Sequence, residues 1–239
     1  MLAVRDAYVA YGEIPAVRGV DLDVGAGQAV AVLGRNGAGK SSLLRAIAGV
    51  APLQSGSVTF DGTDVSRMPA ARRAKAGLVL VPEGRRLFPH MTVHDNLVVG
   101  AYSRGLTRHE IEAEIERVTL HLPTVRSRLG QRAGSLSGGE QQLVAVARAL
   151  MADPRVLMID EPSLGLAPII IDSVYDLFGR LRDEGLTLLV VEQYVEVALG
   201  LVQSAVVVAK GEIVLRGAAH DLANSRDLID AYLSSTEAP

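Results

Sequence analysis

The chain opens with alternating apolar and polar residues interrupted by turn signals, a pattern typical of short, half-buried strands. The strands that this pattern predicts cover residues 2–4, 7–11, 17–24 and 57–65. The last of them folds back at Asp61-Gly62, a favoured hairpin dipeptide. Near the other end, Lys210-Gly211 predicts a second hairpin, and the tail from Asp227 predicts one short helix with a frayed end.

Continuous apolar runs follow the first strands and predict further strands that are buried on both faces. These runs cover residues 29–33, 78–81, 156–159, 186–191 and 205–209. Most of them are separated by segments with helical periodicity. Apolar strands that alternate with helices indicate an α/β fold with a mostly parallel sheet, beside which the N-terminal strands form an antiparallel β subdomain.

The segment between the second and third apolar runs shows helical patterns only. Within it, Thr107 and Glu110 have the spacing of a capping box, and the apolar residues that follow share one helical face. Those residues are Ile111, Ile115, Val118 and Leu122. We therefore expect a single domain over residues 1–239. Its predicted parts are residues 1–81 and 154–239 for the β subdomain and the α/β core, and residues 82–153 for an inserted helical subdomain.

A glycine-rich stretch joins the first apolar run to the next helical pattern. It consists of Gly34, Arg35, Asn36, Gly37, Ala38, Gly39, Lys40 and Ser41, with Ser42 next in the chain. A glycine, four residues and then Gly-Lys-Ser is the P-loop pattern, whose backbone N–H groups cradle phosphates at the start of a helix. The pattern predicts a nucleotide site in which Lys40 reaches the β- and γ-phosphates and the Ser41 hydroxyl is a ligand of Mg²⁺.

The apolar run at residues 156–159 ends in two carboxylates, Asp160 and Glu161. In an open parallel sheet, ligands bind beyond the carboxyl ends of the strands, which is where the P-loop also lies. We therefore expect Asp160 to belong to the magnesium shell and Glu161 to orient or deprotonate the attacking water.

Two consecutive glycines, Gly138 and Gly139, lie at the start of another predicted helix. Ser137 and Glu140 flank them with the spacing of a capping box, which any helix could use to begin. Glycine at such positions lowers helix stability by about 1 kcal/mol per residue relative to alanine, which suggests that a group approaches the backbone closely. A helix start with free N–H groups and a serine hydroxyl also suits a phosphate, and the residues alone leave both interpretations open.

The P-loop, the Leu-Ser-Gly-Gly-Glu stretch and the Asp-Glu strand end, in this order, resemble the ATP-binding cassette ATPases. The resemblance extends from Tyr11 to the hairpin after Ala205. It implies ATP and Mg²⁺ as cofactors and a head-to-tail dimer of cassettes. In that dimer, the motif of residues 137–140 closes over the ATP that is bound to the partner's P-loop, and Tyr11 stacks its ring on the adenine.

A finer resemblance connects the chain with the ATPase subunits of branched-chain amino acid importers. The stretches that carry it are residues 81–89, 161–168 and 191–193. The same stretches depart from the wider cassette pattern. Glu83 stands where most cassettes have a glutamine that contacts magnesium, Gln193 replaces the histidine that usually contacts the γ-phosphate, and Ala167 replaces an aspartate of the dimer-crossing loop. We expect these departures to weaken hydrolysis and to favour a pair of different cassettes in the working transporter.

Composition argues against other classes of ligand and location. A net charge of −3 without a basic cluster, and an aromatic content of 4%, argue against nucleic acid. No apolar run approaches the ~20 residues that cross a bilayer. No secretory signal is evident, and the absence of cysteine fits the cytosol.

The resemblance therefore implies a peripheral subunit at the cytoplasmic face of the cell membrane. Its partners would be transmembrane permease subunits, a second identical or related cassette and, indirectly, an extracytoplasmic solute-binding protein. One alternative is the ATPase of an importer for another small solute, such as urea or amides. Another is a soluble cassette switch without a transport role, which would resemble proteins with two cassettes or a long coiled-coil insertion, features that the 239 residues do not contain.

Overall fold

The computed structural model of the protein describes residues 1–225, which form two β-sheets and nine α-helices. The strands are β1 (Leu2–Tyr11), β2 (Ile14–Val24), β3 (Ala29–Leu33), β4 (Ser55–Phe60), β5 (Thr63–Asp64), β6 (Leu78–Val81), β7 (Val156–Asp160), β8 (Thr187–Glu192), β9 (Ser204–Ala209) and β10 (Glu212–Ala218). The helices are α1 (Lys40–Ile47), α2 (Ala70–Lys75), α3 (Val93–Ala101), α4 (Arg108–Leu120), α5 (Pro123–Arg126), α6 (Gly138–Leu150), α7 (Pro168–Asp183), α8 (Val195–Leu201) and α9 (Ala219–Ala223). Short 3₁₀ turns occupy Tyr102–Arg104 and Ala133–Ser135.

The antiparallel sheet has the strand order β2-β1-β4-β5. Its strand β1 is continuous, so the prediction of two separate strands at residues 2–4 and 7–11 was wrong. The reason is that Asp6 adopts a left-handed backbone (φ 46°) as a local irregularity, after which the pairing with β2 resumes at Ala7 in a shifted register. The fold-back at residues 61–62 is confirmed as the hairpin between β4 and β5.

The larger sheet has the strand order β10-β9-β3-β8-β7-β6 and is parallel except for β10. Strand β10 pairs antiparallel with β9 through the predicted Lys210-Gly211 hairpin. All residues of β3, β7 and β8 are buried, as expected for strands that are covered on both faces. The predicted α/β fold is confirmed, and the carboxyl ends of these three strands meet at one edge of the sheet.

Strand β3 separates two apolar cores. Ala29, Ala31 and Leu33 face the core that β3 shares with α6, α7 and α8. Val30 and Val32 face the core that contains α1 and the antiparallel sheet. Because alternate side chains of β3 are packed on both sides, the loop that follows this strand is held in a defined position.

Helices α3 to α6 lie between β6 and β7, within the predicted helical segment of residues 82–153. The capping box of Thr107 and Glu110 is confirmed at the start of α4. The placement of Leu122 on the apolar face of α4 was wrong, because this buried residue lies beyond the end of the helix and precedes Pro123. A residue before proline is disfavoured in the helical conformation. The division into a core and a helical subdomain stays a prediction.

No helix within the described residues is both long and apolar enough to cross a membrane. The helix predicted from Asp227 lies outside the described residues.

Candidate functional site

The loop between β3 and α1 lies directly against neighbouring backbone. A Cβ atom at Gly34 would overlap the carbonyl oxygen of Val208, and one at Gly39 would overlap that of Ala16. Gly39 also has a φ of 107°, which residues with a side chain rarely adopt. Helix α1 begins directly after Gly39 with neither a side-chain cap nor an acidic residue in its first turn. Its first N–H groups and its positive dipole end are therefore available to an anion.

Lys40, the first residue of α1, has only 3% of its side chain exposed. Its Nζ lies 3.2 Å from Oε1 of Glu161 and donates a hydrogen bond to the carbonyl oxygen of Arg35 at 3.1 Å. Glu161 follows β7 in a left-handed conformation (φ 49°), and its N–H donates to the carbonyl oxygen of Val191 at 3.0 Å. The fold therefore brings the predicted phosphate-binding lysine into contact with the predicted general base.

Asp160, the last residue of β7, is 2% exposed. Ser41 Oγ donates to its Oδ1 at 2.8 Å, whereas its Oδ2 is buried without a hydrogen-bond partner. Burial raises the pKa of Asp160 above its ordinary value, although the Ser41 hydrogen bond acts in the opposite direction.

The pair of Ser41 and Asp160 fits Mg²⁺, because a hydroxyl and an unpartnered carboxylate oxygen are hard ligands that this ion prefers. Within residues 1–225, no group of three or more His, Cys, Asp or Glu side chains is arranged to hold a metal ion. Mg²⁺ sites commonly use one or two carboxylates and complete the shell with water and phosphate oxygens.

Lys40, Ser41 and Glu161 line one cavity of about 280 Å³, whereas Asp160 does not line it. Its lining residues are Ala16, Asn36, Gly37, Ala38, Gly39, Lys40, Ser41, Ser42, Glu83, Glu161 and Leu164. Two further residues of the predicted phosphate site do not line it. Gly34 backs onto β9, and Arg35 contributes its carbonyl oxygen to Lys40. Sequence reasoning missed Ala16 and Leu164, since neither carries a chemical signal.

The motif that begins at Ser137 lies outside this cavity, at the start of α6, and its capping box is confirmed. A Cβ atom at Gly139 would overlap Cγ2 of Ile170 in α7. One at Gly138 would lie 3.0 Å from the guanidinium of Arg85. Within the described residues, the groups that lie close to the two glycines are therefore side chains of the same chain, Ile170 and Arg85.

Tyr11 and Gln193 also lie outside the lining of the cavity. Tyr11 ends β1 with 49% of its surface exposed. Gln193 follows β8, is exposed, and donates its N–H to the carboxylate of Glu192. Sequence reasoning assigned no role to Glu192, which is 1% exposed and accepts four hydrogen bonds. The signal was a single acid that closes an otherwise apolar run.

Comparison with known proteins identifies the chain at the level of family. Residues 17–164, more than half of the chain, match the family described as ABC transporter. The chain belongs to this family. As an ABC cassette it binds ATP or ADP, and it is an ATPase whose hydrolysis is coupled to transport. Cassettes of this family dimerise and pair with permeases.

Curated relatives extend the similarity over nearly the whole cassette. The high-affinity branched-chain amino acid transport ATP-binding protein BraG of Pseudomonas aeruginosa is 39% identical over 98% of this chain and 99% of its own length. The probable branched-chain amino acid transport ATP-binding protein LivF of Archaeoglobus fulgidus is 36% identical over 89% of both chains. The lipopolysaccharide export system ATP-binding protein LptB of Escherichia coli K12 is 31% identical over 97% of this chain and 96% of its own length.

Solved cassettes share the fold. The crystal structure of an ABC transporter cassette in its ADP conformation gives a TM-score of 0.84 at 25% identity and covers 98% of both chains. A dimeric bacterial ABC transporter cassette gives a TM-score of 0.81 at 24% identity and covers 92% of this chain and 99% of its own. These likenesses confirm the combination of an antiparallel sheet, a mostly parallel sheet and a helical insert.

Proposed function

We propose that this cassette is the ATP-hydrolysing subunit of an importer for branched-chain amino acids. The observation that carries the proposed chemistry is the contact between Lys40 and Glu161 in the phosphate-loop cavity. The proposed solute is supported by the resemblance of residues 81–89, 161–168 and 191–193, and by the similarity to BraG and LivF.

The phosphate loop binds the triphosphate of ATP through backbone N–H groups and the start of α1. Lys40 adds a positive charge. Because Lys40 lies 3.2 Å from the Glu161 carboxylate, the phosphates compete with this carboxylate for the ammonium group. ATP binding draws Lys40 away and leaves Glu161 able to accept a hydrogen bond from the attacking water. The oxygen of that water bonds to the γ-phosphorus while Glu161 takes the proton of the water. At the same time, the bond between the γ-phosphorus and the bridging oxygen of ADP breaks.

The residues that would hold Mg²⁺ are Ser41, Asp160 and Glu83. Asp160 offers its unpartnered Oδ2, and the proton of the Ser41 hydroxyl is already engaged by Oδ1, which leaves the oxygen lone pairs for a cation. Glu83 and Ser41 line the phosphate-loop cavity, and Asp160, which is not among its lining residues, is hydrogen-bonded to Ser41. When bound, Mg²⁺ neutralises negative charge on the β- and γ-phosphate oxygens.

A second cassette completes the site in this proposal. The motif of residues 137–140 lies outside this chain's own cavity, so it is free to close over the ATP of a partner cassette. Tyr11 stacks on the adenine, and Gln193 contacts the γ-phosphate. Permease subunits at the cytoplasmic face of the membrane receive the motion, and an extracytoplasmic solute-binding protein delivers the solute.

The role of Glu161 is tested by Glu161→Gln, which keeps the shape of the side chain but removes its basicity. We expect ATP hydrolysis to fall by about 100-fold or more while ATP still binds, because the glutamine cannot take the proton. Phosphate release and equilibrium binding of a fluorescent ATP analogue measure the two effects. Glu116→Gln makes the same change at an exposed position of α4 and serves as the control. Wild-type turnover by the Glu161 variant would contradict the assignment of the base.

The solute is tested by uptake in the source cell. Cells that carry only the Glu161→Gln form should lose uptake of labelled leucine, isoleucine and valine, and the wild-type chain should be recovered with a multispan membrane protein after mild detergent extraction. If the cells lost uptake of urea or amides but kept leucine uptake, the proposed solute would be wrong and the proposed importer function would stand. Recovery without a membrane partner would favour a soluble switch.

A further inference from the structure

One buried carboxylate lies behind the proposed reaction site without touching the cavity. Glu192 is the last residue of β8 and is 1% exposed. Its Oε1 accepts hydrogen bonds from Ser163 N–H at 3.0 Å and from the Tyr175 hydroxyl at 2.8 Å. Its Oε2 accepts from Gln193 N–H at 3.0 Å and from Tyr194 N–H at 3.4 Å. Each oxygen therefore holds a different segment of the chain.

The two segments are those that carry the proposed hydrolysis. Ser163 lies two residues after Glu161, in the loop that leads into α7. Gln193 and its neighbour Tyr194 form the turn between β8 and α8. A single buried carboxylate is thus hydrogen-bonded both to the loop of the proposed base and to the turn of the proposed γ-phosphate contact.

Packing alone does not account for an acidic side chain at this position. The other five residues of β8 are apolar or threonine, and all are buried, so an aliphatic residue would continue the strand without desolvating a carboxylate. None of the four partners of Glu192 carries a positive charge. Burial and the neighbouring Glu192 carboxylate hold the pKa of Tyr175 far above its ordinary value, so its hydroxyl remains a donor.

We infer that Glu192 is a positioning residue for ATP hydrolysis, which holds the loop after Glu161 and the turn of Gln193 in register with each other. The inference rests on the proposed roles of Glu161 and Gln193. It does not require Glu192 to touch ATP or water. Its consequence is that turnover depends on Glu192 much more strongly than ATP binding does, because the backbone N–H groups of the phosphate loop bind ATP without it.

The test is Glu192→Gln, which keeps the volume of the side chain but gives it one acceptor and one donor group. In either orientation the amide N–H₂ faces donors, so one of the two segments loses its anchor. We expect kcat to fall by roughly 10- to 100-fold, as for a small misplacement of reacting groups, while the half-saturating ATP concentration changes by less than about threefold. Backbone amide exchange at Ser163 or at Gln193 and Tyr194 should become faster.

Thr187→Val is the matched control, because it removes a buried hydrogen bond at the opposite end of the same strand. Thr187 is 1% exposed, and its Oγ1 accepts from Gly27 N–H at 2.9 Å. This variant should lower the melting temperature and leave turnover per folded molecule unchanged. Tyr175→Phe removes only one of the four donors, and we expect a smaller loss of kcat, of about two- to fivefold. It keeps the test available if the Glu192 variant does not fold.

Wild-type kcat in Glu192→Gln would overturn the inference. So would equal losses of kcat in the Glu192 and Thr187 variants, or a loss of ATP binding as large as the loss of kcat, because a general loss of stability would explain both. Failure of the underlying function is distinguishable, since it appears as turnover that persists in Glu161→Gln.

Discussion

Three buried ionisable side chains, Lys40, Asp160 and Glu192, and the largely buried Glu161 lie at the carboxyl edge of the parallel sheet, in three different surroundings. Lys40 and Glu161 pair with each other, and Glu192 is surrounded by donors. Asp160 is only half satisfied, because its Oδ2 has no partner. A buried charge without full compensation destabilises a fold. We therefore expect Asp160 to lower the stability of the protein without nucleotide, and a bound cation to remove this effect.

Asp160→Asn tests this effect. Asparagine keeps the size of the side chain and an acceptor for Ser41, but it removes the buried charge. At neutral pH and without nucleotide or Mg²⁺, we expect the free energy of unfolding of the variant to be about 1 kcal/mol larger than that of wild type. We also expect the variant to lose ATP hydrolysis. Urea unfolding followed by circular dichroism measures the stability.

The difference in stability between Asp160→Asn and wild type should depend on pH. The folded-state pKa of Asp160 is raised above its ordinary value of 3.8, so wild type carries no penalty while the group is protonated and becomes less stable as the pH rises above that value. The advantage of the Asn variant should therefore grow from about pH 4 toward neutral pH. Asp176→Asn, on the exposed face of α7, should show no such trend. A less stable Asp160→Asn protein at neutral pH would contradict the argument.

At the scale of elements, the start of α6 and the first turn of α7 are packed through a glycine. The Ile170 side chain lies where a Cβ atom of Gly139 would be, so these two helices approach more closely than a larger residue allows. Near Gly138 the neighbour is the end of a flexible arginine side chain, which can move away. The two adjacent glycines are thus not equivalent.

This difference predicts opposite effects of alanine at the two positions. Gly139→Ala should destabilise the fold by about 1–2 kcal/mol, since the overlap with Ile170 outweighs the gain in helix propensity. Gly138→Ala should leave stability unchanged or raise it. Thermal unfolding of both variants without nucleotide measures the effects.

Ile170→Ala supplies the internal control, because it removes the atom that the new Cβ would meet. In the Ile170→Ala background, Gly139→Ala should no longer destabilise the protein, which a double-mutant cycle detects as coupling between the two positions. Equal effects of alanine at both glycines would show that the packing between α6 and α7 tolerates a side chain.

At the scale of the whole molecule, the cavity that we propose binds phosphate does not include the glycine-rich start of α6 among its lining residues. Within residues 1–225, a single copy therefore does not place the two motifs around one cavity. The resemblance drawn from the sequence also implies that Glu83, Ala167 and Gln193 depart from the wider cassette pattern. Both features favour a site that works in a pair of cassettes.

We predict that the purified chain alone hydrolyses ATP slowly and that a related second cassette from the same transporter raises the rate by about tenfold or more. Phosphate release from each chain and from their equimolar mixture measures this effect. A mixture in which this chain carries Lys40→Ala shows which P-loop performs the hydrolysis. Fast turnover by the isolated chain would argue against the hetero-pair.

Local sequence patterns predicted which helices and strands are present better than they predicted where an element continues or ends. The capping boxes at the starts of α4 and α6, the hairpins and the apolar strands were all predicted, because each depends on residues a few positions apart. The continuity of β1 through Asp6 and the position of Leu122 beyond α4 were not. Those outcomes depend on pairing with β2 and on packing against the core, which a window of neighbouring residues does not contain.

The sequence by itself determined the P-loop pattern after β3, the pair of carboxylates at the end of β7 and the family to which the chain belongs, because these follow from fixed spacing along the backbone. Only the tertiary structure decided that Lys40 pairs with Glu161 and that Glu192 ties two loops together. The contacts of Lys40 with Glu161 and of Glu192 with Ser163 join segments that are far apart in the chain. The strand order, set by packing side chains into two cores, is what brings them to the same edge.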